Sequence, residues 1–223
     1  MGQYYYPVLM TAKGGKVIAS FYSHAFDRNG LKLTEHSYCG NAFVESVIAK
    51  AMAQLKPVTL AWVGDYADYG EDLARRPDDG TGRDYESLFR RAYRATENDK
   101  TRVGPEDGEI VAYLSDAADV VIYDLALRQK LSVRRYRENV IGKRLETGSK
   151  PGWVDDVADF ILHPLPLLTC IGNGKGGGDY QGTSMERIGS WALHPLAILP
   201  EGLPEPDGEW EDISESVLFE EGE

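Results

Sequence analysis

Cysteine is almost absent from this chain: Cys39 and Cys170 are the only two among 223 residues. Because they lie far apart in sequence, they indicate neither a disulfide framework nor a cysteine-based zinc site, and we expect two reduced, mostly buried thiols. The four histidines also lack the spacing of a zinc motif, so the sequence predicts no metal site. His163 and His194 share the pattern His-Pro-Leu, which indicates a similar local conformation.

The chain also lacks a long apolar run. A membrane-spanning helix needs about 20 apolar residues, whereas the stretch from Leu165 to Ile171 is short and contains Pro166. The first residues, 1–6, have neither the basic part nor the apolar part of a secretory signal. These absences predict a cytoplasmic protein that does not contact a membrane.

Basic residues are missing from one end of the chain. The net charge is −12, from 36 acidic and 24 basic residues. Residues 200–223 contain ten of the acids and no Lys or Arg, so the remaining 199 residues carry 26 acids against 24 bases. Such an acidic tail disfavours nucleic acid as a partner, because phosphate binding relies on Lys and Arg. Its large apolar residues, Trp210 and Phe219 among them, predict that it docks partly on the body or on a protein partner.

The segments that are present indicate strands more often than helices. Strands are predicted at 4–11, 17–22, 58–63, 110–114, 120–127, 131–136, 160–168 and 188–199. Helices are predicted at 42–55, after the N-cap Asn41, and at 84–96, after Asp84. The predicted fold is a single α+β domain over residues 1–199. We expect a mainly antiparallel, strand-dominated sheet, curved or barrel-like, with two principal helices.

Residues 172–182 form a glycine-rich segment that we place at one rim of the predicted sheet. Glycine lets the backbone approach a ligand and adopt positive φ, so successive amides can form a nest for an anion. A P-loop is excluded because Gly176 follows Lys175 where Ser or Thr is required. The alternative interpretation is a hairpin loop without a ligand. The predicted ligand-binding residues are Asn173, Gly174, Lys175, Gly176, Gly177, Gly178, Asp179, Tyr180 and Trp191.

Carboxylates follow the predicted strand 58–63, at Asp65 and Asp68. A carboxylate at a strand end can act as a general base, or it can hydrogen-bond the backbone of a turn. His36 follows Glu35, whose carboxylate can orient the imidazole, although a lone histidine is more often structural. The candidate catalytic residues are His36, Asp65, Asp68 and Asp179, and the sequence assigns no cofactor.

Several segments occur in an order that resembles a known family. They are MGQYY at 1–5, KL with EHSY and GN over 32–41, WVGDYAD at 62–68, HPLPLLT at 163–169, the glycine-rich segment with GNG and GDY, and GSWA at 189–192. The pattern resembles an uncharacterised family of small proteins from bacteriophage and bacterial genomes, over residues 1–199. Cys170 and Ile171 and the acidic tail depart from it. The resemblance implies no activity, but both candidate sites lie within it.

Three functions are consistent with these features. The first is binding of a small anionic or nucleotide-like ligand through residues 172–182, with phage–host conflict as its setting. The second is a hydrolase or transferase in which Asp65 or Asp68 converges with His36 and Asp179. The third is inhibition of a protein partner through the acidic tail at 200–223. We expect the first, because the sequence shows a glycine-rich nest but no evident catalytic set.

Overall fold

The computed structural model describes residues 3–12, 16–26, 29–67, 88–98, 100–148, 155–172 and 180–220. The strands are β1 (Tyr5–Thr11), β2 (Val17–Phe21), β3 (Val58–Gly64), β4 (Arg102–Val103), β5 (Val120–Asp124), β6 (Gln129–Ser132), β7 (Cys170–Ile171), β8 (Pro195–Pro200) and β9 (Glu211–Asp212). The α-helices are α1 (Leu33–His36), α2 (Ala42–Met52), α3 (Leu88–Thr96), α4 (Gly108–Ala117), α5 (Val133–Thr147) and α6 (Pro164–Thr169). The predicted α+β class is confirmed.

The strands form one mixed sheet in the order β4-β2-β1-β3-β8-β5-β6-β9, and β7 pairs with β3 off this path. The pairings β2–β4, β3–β7 and β6–β9 are parallel, whereas β1–β2, β1–β3, β3–β8, β5–β8 and β5–β6 are antiparallel. The prediction of a mainly antiparallel, barrel-like sheet was therefore wrong: within the described ranges the sheet is mixed and open. Each parallel pairing uses a strand of two residues, which no sequence periodicity distinguishes from a loop.

The two central strands are buried on both faces. All seven residues of β3 are buried, and only the last residue of β1 is partly exposed. Leu9 and Trp62 point to the larger core with α2, α4 and α5, whereas Val8 and Val63 point to a smaller core beneath α3. Helices on both sides of the sheet explain why these strands are continuous apolar runs, since neither face meets solvent.

Helices are more extensive than the sequence suggested. α2 is confirmed: it starts at the N-cap Asn41, whose side chain accepts a hydrogen bond from Phe43 N at 2.9 Å. α3 confirms the described part of the helix predicted at 84–96, since residues 84–87 lie outside the described residues. α4 and α5 occupy segments that were predicted as strands at 110–114 and 131–136, so the expectation of two principal helices was wrong. Short apolar runs fit a strand and a buried helix equally well.

The segment 160–168 was predicted as extended because of its prolines, but it contains α6. Pro164 occupies the first helical turn, where backbone amides have no partner within the helix and proline is tolerated. His163 caps this turn, because its Nδ1 accepts a hydrogen bond from Leu165 N at 3.1 Å. The strand predicted at 188–199 begins only at Pro195, since turns occupy residues 188–194 and Gly189 has a φ of +70°.

The acidic C-terminal segment packs against the body as far as Glu220. Ile213, Val217 and Phe219 are fully buried. Arg135 forms ion pairs with Asp212 and Glu215. Three further pairs are Arg144 with Glu220, Arg134 with Glu201 and Lys130 with Glu205.

Both cysteines are free thiols, Cys170 buried and Cys39 half-buried. No helix among the described residues has the length and apolar character needed to cross a membrane.

Candidate functional site

Gly64 and Gly172, the first residues of the two segments shortlisted from the sequence, lie at the same end of two paired strands. β7 pairs in parallel with β3, Trp62 opposite Cys170 and Val63 opposite Ile171, so the next residues, Gly64 at the end of β3 and Gly172 after β7, lie side by side. A Cβ built on Gly64 would lie 2.1 Å from Gln3 Nε2, and one on Gly172 would lie 2.3 Å from the Tyr5 hydroxyl. Both positions are therefore glycine because side chains from the chain's start pack directly on them.

The ligand-binding nest predicted from the sequence is mostly outside the described ranges. Residues 173–179, from Asn173 to Asp179, lie there, and their role stays a prediction. Tyr180 is buried: its hydroxyl lies 2.8 Å from both the Thr183 and Glu220 carbonyl oxygens, and its ring meets Phe219 edge-on. Trp191 is buried, and its Nε1 donates to Gln129 Oε1 at 3.0 Å. These contacts favour a structural role for both aromatic residues.

The two catalytic candidates among the described residues, His36 and Asp65, hydrogen-bond other residues and not each other. Asp65 closes a turn at the end of β3, where its Oδ1 accepts a hydrogen bond from Tyr4 N at 3.2 Å and its own N–H donates to Tyr4 O at 3.0 Å. Asp68 and Asp179 lie outside the described residues, so their convergence with Asp65 stays a prediction.

His36 is held inside the core, with both ring nitrogens engaged. Nδ1 lies 3.0 Å from the Gly30 carbonyl oxygen and donates to it, and Nε2 accepts a hydrogen bond from Trp62 Nε1 at 3.1 Å. Burial lowers the pKa of His36 to about 4, against weaker opposing contributions from the Gly30 carbonyl and the Glu35 carboxylate. With no free nitrogen and no exposure, His36 fits a structural role better than a catalytic one.

A groove of about 800 Å³ lies at the opposite end of the central strands, where β1 ends and β2 and β3 begin. β1 and β3 have seven residues each, so this end is about 20 Å from Gly64 and Gly172. Apolar residues form one part of the groove and lysines stand around it. Its lining residues are Thr11, Ala12, Lys16, Val17, Ile18, Gln54, Lys56, Pro57, Val58, Asn98, Lys100 and Thr101.

The groove has a marked charge imbalance. No Asp or Glu occurs among its described lining residues, and Lys16, Lys56 and Lys100 form no ion pair with any described residue. Asn98 Oδ1 accepts a hydrogen bond from Lys100 N at 3.0 Å, which leaves the amide NH₂ as a donor. Sequence analysis did not identify this site, because its lysines are far apart in the chain and only the pairing of β1, β2 and β3 brings them together.

A second site also escaped the sequence analysis. Asp124, at the end of β5, is fully buried, and its Oδ2 accepts a hydrogen bond from His194 Nδ1 at 2.7 Å. Its Oδ1 accepts two further bonds, from Ala126 N at 2.8 Å and Leu127 N at 3.0 Å. A carboxylate directly after the apolar run 120–123 was the available signal. In contrast, no three His, Cys, Asp or Glu side chains of the described chain converge as a metal-binding group.

Comparisons with protein-family models, curated proteins and solved structures found no match for this chain. The resemblance to the phage and bacterial family therefore stays a prediction. The evidence for function consists of the geometry of the groove, of the Asp124–His194 pair and of the edge at Gly64 and Gly172.

Proposed function

We propose that the protein binds a small anionic ligand in the lysine-bordered groove. The single observation that carries this proposal is three lysines that pair with no described carboxylate, around a groove that has no acidic residue among its described lining. Outside residues 200–223 the chain is nearly neutral, with 26 acids against 24 bases, so three lysines around one groove give it a local positive charge that favours an anion.

The other lining residues suggest what kind of anion fits. Val17, Ile18, Pro57 and Val58 give the groove an apolar wall, which suits a ligand with an apolar or aromatic body. Lysine ammonium groups bind phosphate and carboxylate as point charges without demanding a fixed geometry. A volume of about 800 Å³ is within the range of small-molecule sites. A phosphate-bearing, nucleotide-like compound combines these features.

This proposal keeps the ligand class expected from the sequence and adds a second location for it. Residues 173–179 stay the predicted nest, and the groove lies at the other end of β1 and β3. The acidic segment is less suited to act as a mimic of nucleic acid, because several of its carboxylates are already paired with Arg and Lys of the same chain. His36 offers no free nitrogen to support the hydrolase or transferase alternative.

The test is calorimetric titration of the full chain with ATP, with adenosine as the uncharged control. We expect ATP to bind more tightly than adenosine and to lose affinity as salt rises, since exposed charges are screened over about 8 Å at physiological ionic strength. Replacing Lys16, Lys56 and Lys100 together by Gln should weaken ATP binding at least tenfold, about 1.4 kcal/mol. The matched control replaces Lys32, Lys130 and Lys143, each paired with a glutamate, by Gln.

The two locations are separated by a second variant, Gly176→Val with Gly177→Val. Loss of ATP binding in the groove variant alone supports the groove. Loss in the glycine variant alone rejects the groove and supports the nest predicted from the sequence. Equal binding of ATP by the wild type, the groove variant and the control variant also rejects the groove.

A further inference from the structure

Asp124 and His194 form a hydrogen-bonded pair that the ligand-binding proposal does not use. The fully buried Asp124 carboxylate accepts three hydrogen bonds, one from His194 and two from the backbone of the turn after β5. Because Nδ1 donates to the carboxylate, the neutral His194 ring carries its proton on Nδ1 and its lone pair on Nε2. The carboxylate therefore selects the tautomer in which Nε2 can accept a proton.

The Nε2 atom of His194 is free and reachable. It makes no hydrogen bond with any described residue, and 27% of the His194 side chain is exposed. The two buried histidines differ: both nitrogens of His36 are occupied, and His163 Nε2 is sealed inside the protein without a partner. Of the three histidines held by hydrogen bonds, only His194 presents a lone pair to solvent.

The backbone that carries the ring is also held in place. The backbone N–H of His194 donates to Trp191 O at 3.1 Å, and Trp191 is buried and bonded to Gln129 of β6. The next residue, Pro195, accepts a hydrogen bond from Leu125 N at 3.0 Å. The imidazole is therefore fixed between the β5–β6 turn and the start of β8, which is the preorganisation that a proton-transfer group needs.

The surroundings of the pair favour an uncharged substrate. Leu193 precedes His194, and Leu127 donates its backbone N–H to Asp124; their large apolar side chains are 37% and 47% exposed. Arg128, in the same turn as Leu127, stacks over the Trp210 ring at 4.7 Å and donates to the Asp207 carbonyl oxygen. With Arg128 engaged elsewhere and a carboxylate behind the ring, the pair suits a neutral substrate better than a phosphate.

We propose that His194 is a general base, positioned by Asp124, that hydrolyses a neutral ester. His194 Nε2 takes a proton from water as the water oxygen bonds to the ester carbonyl carbon. The bond from that carbon to the alcohol oxygen then breaks, and the departing alkoxide takes the proton back from Nε2. The net reaction converts ester and water to acid and alcohol, and the Asp124 carboxylate stabilises the transient imidazolium.

The test is hydrolysis of p-nitrophenyl acetate by the full chain, measured above the buffer rate. We expect His194→Gln to lower kcat at least 100-fold, the scale of general-base catalysis. Asp124→Asn separates positioning from folding, because its carbonyl oxygen can still accept from Ala126 and Leu127 N–H. Its NH₂ would donate to His194 Nδ1 and move the ring proton to Nε2, so kcat should fall while KM and Tm change little. The matched control is His24→Gln, which removes an exposed histidine that pairs with no described carboxylate.

Rescue by imidazole distinguishes a proton-transfer role of His194 from a purely structural one. Measured above the rate given by imidazole without protein, added imidazole should restore hydrolysis to His194→Ala and should leave the wild-type rate unchanged. The proposal is overturned if the wild type does not exceed the buffer rate, if His194→Gln and His24→Gln behave alike, or if imidazole fails to rescue. Replacement of the three groove lysines should leave ester hydrolysis unchanged, so this test is independent of the ATP titration.

Discussion

Trp62 Nε1 donates a hydrogen bond to His36 Nε2 over 3.1 Å, which joins the central strand β3 to the short helix α1 inside the core. The bond requires a neutral His36, because a proton on Nε2 would face the Trp62 N–H and leave both donors without an acceptor. Burial accordingly lowers the pKa of His36 to about 4. Burial, with the nearby Arg137 charge, lowers the pKa of His163 to about 3.

These two histidines should make the protein sensitive to mild acid. The unfolded chain binds a proton at each histidine below about pH 6.5, whereas the folded chain binds it only near pH 4 or below. Folding stability should therefore fall as pH drops from about 6.5 towards 4, by about 1.4 kcal/mol per pH unit for each histidine. Urea unfolding at pH 7, 6 and 5 measures this dependence.

The variant His36→Gln isolates one of the two contributions. Its free energy of unfolding should be lower than that of the wild type at pH 7, but it should lose about half as much of the histidine-linked stability on acidification. Carboxylates also titrate near the lower end of this pH range. The test therefore uses the difference in free energy of unfolding between His36→Gln and the wild type at each pH. His24→Gln should behave as the wild type does, since His24 is exposed. Identical pH slopes for His36→Gln and the wild type would contradict the assignment.

Replacement of glycine by alanine should change stability in opposite directions at Gly189 and Gly142. Gly189 has a φ of +70°, and an added Cβ would lie 2.6 Å from the Cys170 carbonyl oxygen. Gly189→Ala should therefore cost about 2 kcal/mol or more, from the left-handed backbone and the contact with β7. Gly142 lies within α5, and its added Cβ would meet nothing within 4 Å.

Gly142→Ala should stabilise the protein by about 0.5–1 kcal/mol, because alanine restricts the unfolded chain and favours the helix. Chemical denaturation of both variants in parallel gives the two values. Wild-type stability of Gly189→Ala would contradict the close approach of Gly189 to the Cys170 carbonyl oxygen of β7.

The sequence predicted those elements whose signals are local. The strands β1, β2 and β3 and the helix α2 each have apolar spacing within one segment, and Asn41 marks the start of α2. The strand predicted at 120–127 contains β5, but residues 125–128 form a turn, and β6 begins at Gln129, before the strand predicted at 131–136. These elements form most of the central sheet.

The elements that were missed depend on contacts or on mixed signals. The run 131–136 joins the end of β6 to the start of α5, where the Ser132 hydroxyl accepts a hydrogen bond from Arg135 N at 3.2 Å, so one apolar segment contains two structures. The strands β4, β7 and β9 are two residues long, so their hydrogen bonds to neighbouring strands define them and no sequence periodicity indicates them. The lysine groove and the Asp124–His194 pair join residues up to 90 positions apart, between Thr11 and Thr101, and require the sheet register.

Arg144 should be the most sensitive charged residue of α5. Its side chain is 4% exposed and donates to the Val157 and Asp159 carbonyl oxygens at 2.9 and 2.8 Å and to Glu220 at 2.9 Å. Arg144→Met should cost about 3 kcal/mol, because it leaves these acceptors without their donor. Arg135→Met should cost less than about 1 kcal/mol, since the exposed Arg135 makes solvent-screened ion pairs. Urea unfolding measures the loss of stability in each variant, and a larger loss in Arg135→Met than in Arg144→Met would contradict the prediction.

Phe219 should anchor the acidic segment to the body. Its ring is fully buried, 5.6 Å from the Tyr180 ring and 6.4 Å from the Tyr136 ring. Phe219→Ala should lower the free energy of unfolding by about 3–5 kcal/mol, the cost of an aromatic cavity in a core. Leu203→Ala, in the same segment but 52% exposed, should change it by less than about 0.5 kcal/mol.

This comparison also decides how a deletion of residues 200–223 is to be interpreted. Because Ile213, Val217 and Phe219 complete the core, a chain without them should be unstable whatever the segment binds. A partner role needs a variant that removes charge and keeps the core, such as Glu209→Gln at an exposed position without an ion pair in the described chain. If Phe219→Ala unfolds at the wild-type urea concentration, the segment is not part of the core, and the deletion becomes a valid test of a partner.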